Sequence, residues 1–190
     1  TMSIGHDPIT DIKDVPNNPK KRYDIMTEEM PKSGELSLEM MYQTCGTQIN
    51  LDYTSESDFK KKFKIISFLT PLTIALFSNS PIKKNTPTGL LSYRSKVWQS
   101  TSRGGLPDIF LEDMDFEKYA DFSLNFNLLF LFENNRYNSA NGKNFQDLIN
   151  EQKANSENLQ LHLSTIFTEL RLKKYIELRS IDACEWDCHC

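Results

Sequence analysis

The residues with the most chemical potential lie in Leu170-Arg-Leu-Lys-Lys-Tyr-Ile-Glu-Leu-Arg179. In an extended strand, successive side chains point to opposite faces. Read as one strand, Leu170, Leu172, Ile176 and Leu178 share a face, with Lys174 the exception, and Arg171, Lys173, Tyr175, Glu177 and Arg179 share the other. A face carrying several cations and a single carboxylate suits a pocket for a highly anionic ligand and a bound cation. It equally suits an edge strand guarded by charge against aggregation. Residues 40–53 alternate too. Cys45, Thr47, Ile49, Leu51 and Tyr53 fall on one side, and Thr44, Gly46, Gln48, Asn50 and Asp52 on the other. Gly46 admits a close approach to the backbone. Gln48, Asn50 and Asp52 offer oxygens that suit hard cations such as Mg²⁺. Arg94, Trp98 and Arg103 complete the set. An arginine fork can grip a carboxylate with two parallel hydrogen bonds.

These residues need a sheet and something to cover its apolar side. Residues 55–77 supply a helix. Ser55 or Ser57 can cap it, Glu56 and Asp58 suit its positive end, and Phe59, Phe63, Ile66 and Leu69 or Thr70 keep helical spacing. Pro71 is expected to break or kink it. Residues 78–89 read as a loop. Residues 90–100 read as a helix with Arg94 and Trp98 on one side, and 101–105 as a turn. Residues 115–124 form a helix with Phe116, Tyr119 and Phe122 inward. A buried strand over 128–132 turns at Asn134-Asn135 into an extended piece at Tyr137, and helices follow over 145–152 and 157–163. Residues 1–34, with Pro8, Pro16, Pro19 and Pro31, read as an irregular approach segment with a helical turn near 20–26. Segregated helices and an antiparallel sheet give an α+β class, with residues 1–190 a single domain.

The chain has 190 residues and a formal net charge of −4, which argues against nucleic acid as a partner. The longest apolar run, 65–77, is too short to span a bilayer and contains Pro71, so no membrane partner is expected. The run from Lys60 to Lys64 reads as the solvated face of a helix. No signal peptide pattern opens the sequence, which begins on Thr1, and its four cysteines fit a reducing cytoplasm. The tail Cys184, Cys188, His189 and Cys190 lacks the two separated pairs of a structural zinc site. There is no Walker phosphate loop and no GxGxxG. ATP, if bound, is held by charge and metal.

Six blocks in order carry a resemblance. They are Met41-Tyr-Gln-Thr-Cys45, Gln48-Ile-Asn-Leu-Asp52, Ala75-Leu-Phe-Ser-Asn-Ser-Pro81, Ser92-Tyr-Arg-Ser-Lys-Val-Trp98, Phe116-Glu-Lys-Tyr119, and the run from Thr165 to Arg179. Together they resemble glutamate–cysteine ligase of the type shared by plants and many proteobacteria, over about residues 11–186. The resemblance implies the central part of a glutamine-synthetase-like catalytic domain, its sheet forming a concave polar wall. ATP would phosphorylate the γ-carboxylate of glutamate, and the amine of cysteine would displace phosphate, the first step of glutathione biosynthesis. Catalysis would then be positioning plus charge neutralisation, with no covalent step on the protein.

The resemblance implies ATP and Mg²⁺ as cofactors and glutamate and cysteine as substrates. It makes Glu177 a metal ligand with Gln48 beside it, and sets Arg179 on the ATP phosphates. Arg94 and Arg103 would serve catalysis and carboxylate recognition, with Trp98, Gln48 and Asn50 around the substrate and Asp182 orienting Arg179. The residues by themselves also allow an ion pair between Glu177 and Arg171 or Arg179, and a packing role for Trp98. The sequence departs from the family's pattern in a shorter turn between Trp98 and Leu106, in Ser102, in Thr168 for a usual proline, and in Ser180, Cys184 and Glu185 for a glycine-rich turn. An N-terminal strand with further acidic ligands is absent, so the chain reads as an internal fragment. Two other readings stay open: a ligase of the same fold acting on another amine, and a truncated, non-catalytic remnant.

Overall fold

The computed structural model describes residues 3–188 and has a mixed α+β fold. The helices are α1 (Lys21–Glu29), α2 (Ser37–Tyr42), α3 (Glu56–Leu76), α4 (Tyr93–Gln99), α5 (Phe116–Asn125), α6 (Phe145–Asn150) and α7 (Ser156–Ser164). The strands are β1 (Gly46–Leu51), β2 (Ile82–Lys83), β3 (Thr86–Pro87), β4 (Phe130–Glu133), β5 (Arg136–Ser139), β6 (Leu170–Leu172) and β7 (Ile176–Asp182). An antiparallel sheet of order β1-β7-β6 carries the charged residues, and β2-β3 and β4-β5 are separate hairpins.

The strand expected over 170–179 is two strands. The chain reverses at Lys174, with Lys173 N–H donating to the Tyr175 carbonyl at 2.8 Å. Leu170 then pairs with Leu178, Arg171 with Glu177, and Leu172 with Ile176. Each pair is symmetric about Lys174, so partners have the same parity. Directly opposed residues in an antiparallel ladder share a face. The sorting of side chains therefore survives the fold-back, and Lys174 broke the alternation because it sits at the tip. The other extended segment is also shorter than expected, since Met40, Met41 and Tyr42 belong to α2.

The apolar face of the sheet packs on α3. Phe59, Phe63, Phe110, Met114, Tyr119, Leu170, Ile176, Leu178 and Ile181 form one buried cluster. The Ser55 hydroxyl caps α3 by accepting from Asp58 N–H. The helix runs through Pro71 to Leu76 without ending there. Its inward stripe is Phe59, Phe63, Ser67 and Thr70, so Thr70 and not Leu69 continues the spacing. The opposite side shows Ile65, Phe68, Leu69, Leu72 and Leu76 to solvent, each between 45 and 68 % exposed. Three lysines of the helix pair with acids: Lys60 with Asp115, Lys62 with Asp58 and Lys64 with Asp113.

A second cluster joins α1, α2, α4 and β4 through Met26, Met30, Met40, Tyr93, Val97, Trp98, Leu129 and Phe130. Residues 1–34 are thus not merely an irregular approach, because α1 is part of this core. Further upstream, Cys45 N–H donates to the Gly5 carbonyl and Gly5 N–H to that of Asn79. Asn134 and Asn135 take positive φ of 52° and 60°, which suits the tight turn joining β4 to β5. No helix among the described residues is long and apolar enough to cross a membrane. His189 and Cys190 of the tail lie outside the described residues.

Candidate active site

The site begins with an irregularity in the sheet. Thr47 pairs with Ile181 and Ile49 with Leu178, so Arg179 and Ser180 together oppose Gln48. This is a β-bulge on β7, a device that re-aims side chains and frees backbone groups. The freed carbonyls go to Arg94, whose Nη2 donates to the Arg179 carbonyl at 2.7 Å and Nη1 to that of Ser180 at 3.2 Å. Gly46 makes room: a Cβ there would lie 2.7 Å from Arg94 Nη2 and 2.8 Å from the Ile181 carbonyl oxygen. The bulge also shifts parity, so that Asp182, opposite Gly46, joins the face of Asn50 and Glu177.

Above this face lies a cavity of about 210 Å³, lined in part by Arg22, Gln48, Arg94, Trp98, Phe167 and Arg179. Trp98 is both wall and core. Its indole N–H donates to the Thr44 hydroxyl at 3.1 Å, and its ring carries two guanidinium groups, Arg94 at 4.5 Å and Arg179 at 5.1 Å. Such stacking keeps a cation oriented; Arg94 already gives Nη1 and Nη2 hydrogen bonds to the bulge carbonyls. Among the described residues Arg179 makes one side-chain hydrogen bond, from Nη1 to the Ile166 carbonyl at 3.3 Å, while its buried Nε makes none and lies 3.7 Å from Glu177 Oε2. Burial, then the nearby Arg171 charge, lowers its pKa to about 10, so it stays cationic at neutral pH. Burial lowers Arg94 also, opposed by the charges of Glu169 and Asp182.

Of the residues expected at the site, the structure gathers Gln48, Arg94, Trp98 and Arg179 on the cavity and leaves others aside. Asn50 is opposite Glu177 on the same face but does not line the cavity. Glu177 is ion-paired, with Oε2 2.6 Å from Arg171 Nη2 and Oε1 2.9 Å from Lys173 Nζ. Burial opposes its ionisation, but Lys173, Arg171 and Arg179 outweigh that and hold its pKa below the usual carboxylate range. Arg103 is elsewhere. Its Nε and Nη2 donate to the Thr165 carbonyl and its Nη1 to that of Asn127, which ties the 101–105 turn to the end of α7. Asp182 does not orient Arg179. It accepts from Asn79 N–H and from the Ser80 and Ser92 hydroxyls, with Arg94 Nη1 at 3.8 Å.

Two residues escaped the sequence reading. Arg22 reaches the cavity from α1, and its buried Nε lacks a partner. Its only sequence signal was a cation in the helical turn read near 20–26. Glu169 lies one rung beyond the start of β6, where Arg179 N–H donates to its carbonyl. The odd-numbered pattern that placed Arg171 and Glu177 on the polar face includes it by simple extension.

Over residues 1–190 the chain matches the family model described as Glutamate-cysteine ligase family 2(GCS2). The chain belongs to that family. It is 38 % identical over 195 residues to "Glutamate--cysteine ligase A, chloroplastic" of Oryza sativa subsp. japonica, 39 % to the chloroplastic glutamate–cysteine ligase of Medicago truncatula, and 38 % to that of Arabidopsis thaliana. Each alignment covers 97 % of this chain, which spans only 40, 38 and 37 % of the respective relatives. A divalent ion does not fit the donors of this family member's described residues alone. No three His, Cys, Asp or Glu side chains among them come together to hold one, and the carboxylate of Glu177 already pairs with three cations, Arg171, Lys173 and Arg179.

Proposed function

We propose that this chain supplies part of the active site of an ATP-dependent ligase. The enzyme joins the γ-carboxylate of L-glutamate to the amine of L-cysteine through a γ-glutamyl phosphate, the first step of glutathione biosynthesis. The observation that carries this reading is the cavity wall in which Arg94 and Arg179 share the Trp98 ring. Two oriented cations beside an aromatic wall favour an anion that gains charge as phosphate transfers, and they need no reorganisation when it does. Arg179 takes phosphate oxygens with its guanidinium. Arg22 and Arg94 steady a carboxylate, and the Gln48 amide fixes the ligand's polar edge. Trp98 and Phe167 exclude water, which protects a mixed anhydride from hydrolysis.

ATP is the phosphoryl donor in this reading and Mg²⁺ its companion. Glu177 and Gln48 are the oxygen donors this face offers, and further ligands come from other parts of the enzyme. The sheet is then a segment of a glutamine-synthetase-like wall, and the few cysteines support a cytoplasmic location. The test is phosphate release by the full-length gene product. Release that requires glutamate and cysteine together bears the proposal out, and Glu177→Gln lowers it by about two orders of magnitude. Release with another amine instead of cysteine assigns a different ligase, and no release with any amine sinks the enzymatic reading.

A further inference from the structure

Asp182 is 1 % exposed and has no part in the reading above, yet three donors converge on its carboxyl group. Oδ2 accepts from Asn79 N–H at 2.8 Å and from the Ser80 hydroxyl at 2.6 Å, and Oδ1 accepts from the Ser92 hydroxyl at 2.9 Å. Both hydroxyls are acceptors as well. Ser80 Oγ takes Arg94 N–H at 3.0 Å, and Ser92 Oγ, the cap of α4, takes Ser95 N–H at 3.0 Å. The Ser80 carbonyl takes Tyr93 N–H at 2.9 Å. Amides in the first turn of a helix have no partner within it. Here two of them are passed through hydroxyls to one carboxyl group of β7, since a hydroxyl that accepts from an amide keeps its proton for a second partner. Arg94 returns the link, because its fork bonds the Arg179 and Ser180 carbonyls of the bulge. The start of α4 is therefore tied to β7 in both directions, beside the bulge. Burying a carboxyl group is costly unless donors fill it, and these donors come only from the cap of α4 and the loop at 79–80.

We propose that Asp182 is a positioning residue. With Ser80 and Ser92 it pins the first turn of α4 to β7, and the pin decides where two residues of that helix stand: Arg94, closed on the bulge, and Trp98, whose ring carries Arg179. Asp182 touches neither ligand nor reacting atoms and acts through the helix. This deepens the ligase reading and rests on it for the identity of the anion. Thr73 of α3 holds the bulge separately, its hydroxyl 2.8 Å from that of Ser180, and the apolar cluster between α3 and the sheet shares no member with the pin. Loosening the pin should therefore shift α4 before it unfolds the sheet. A displacement of about 1 Å in a wall residue can cost on the order of a hundredfold where alignment governs the reaction.

The test uses the full-length gene product and inorganic tripolyphosphate, titrated by calorimetry at a temperature where far-UV dichroism shows the variants folded. Ser80→Ala with Ser92→Ala removes both hydroxyl bridges and leaves the Asp182 side chain in place, so a changed field cannot explain a changed affinity. This pair is expected to bind about tenfold or more weakly. Asp182→Asn removes a negative charge, which by itself would tighten an anion, so a loss of about fivefold there reports the lost pin. Ser92→Thr keeps the hydroxyl at a half-buried position and stays within about twofold of wild type. Arg103→Lys, destabilised away from the pin, keeps wild-type affinity. Wild-type or tighter binding by the serine pair or by Asp182→Asn overturns the proposal. So does an equal loss in Ser92→Thr or Arg103→Lys, which would mark general loosening, and so does a wild type that binds no tripolyphosphate. Should the pair not fold, Ser80→Ala and Ser92→Ala decide singly: a loss of about threefold in either supports the role, and unchanged affinity in both overturns it. Turnover is read separately. Phosphate release that requires glutamate and cysteine, with the hydroxyl variants binding as wild type, overturns the pin and leaves the ligase reading standing. Weakened binding by those variants of a protein that releases no phosphate with any amine does the reverse.

Discussion

Arg103 and Arg179 are both buried arginines lowered to about 10 by burial, but their hydrogen bonds divide their roles. Arg103 spends its donors on the backbone carbonyls of Thr165 and Asn127, and Arg179 lines the cavity with a single side-chain hydrogen bond among the described residues, to the Ile166 carbonyl. Arg103→Lys should therefore destabilise the fold by about 2–4 kcal/mol in chemical denaturation, since it strips a buried fork from its acceptors. The same change should leave anion affinity of the folded protein unaltered. Gly46→Ala should lower both stability and anion affinity, because its Cβ meets the Ile181 carbonyl as well as the Arg94 guanidinium, so the bulge and the cavity wall must both shift. Glu177 adds a pH signature. Its folded pKa lies below its unfolded value, so its contribution is present above about pH 4.5 and is lost as pH falls through the folded pKa. Acid unfolding profiles of wild type and Glu177→Gln should converge at low pH and separate above it.

At the scale of elements, α3 and the β6–β7 hairpin decide whether the site exists. Phe63 is fully buried between the helix and the sheet, and Phe63→Ala should cost about 3–5 kcal/mol by equilibrium unfolding, with loss of the cavity's ligand binding in parallel. Much of this layer was legible in the sequence. Ser55, Phe59 and Phe63 marked α3, Arg94 and Trp98 marked one side of α4, and alternation marked the polar face of the sheet. What escaped has physical reasons. A reversal about Lys174 leaves parity untouched, so alternation alone cannot tell one strand from two. A bulge has no composition of its own, and only the pairing of Gln48 with Arg179 and Ser180 shows it. The target of Arg103 lies 62 residues away at Thr165, and charge patterning carries no trace of such a contact.

Across the whole molecule, His6 and His162 are both held neutral by burial, their pKa values below 6.5. Each therefore stabilises the folded chain above about pH 6.5 and loses that contribution as pH falls through its folded pKa. The melting temperature should drop on mild acidification, and His162→Gln should flatten that drop in scanning calorimetry. The outer side of α3 governs something else: how the chain behaves when it is made by itself. Ile65, Leu69, Leu72 and Leu76 recur at intervals of four, three and four residues, with Phe68 beside them, a greasy seam of the kind that zips against another helix. A preparation of these 190 residues will take up hydrophobic dye and sediment as mixed assemblies. Phe68→Lys with Leu72→Glu should return it to a single dispersed species without touching the ligand cavity.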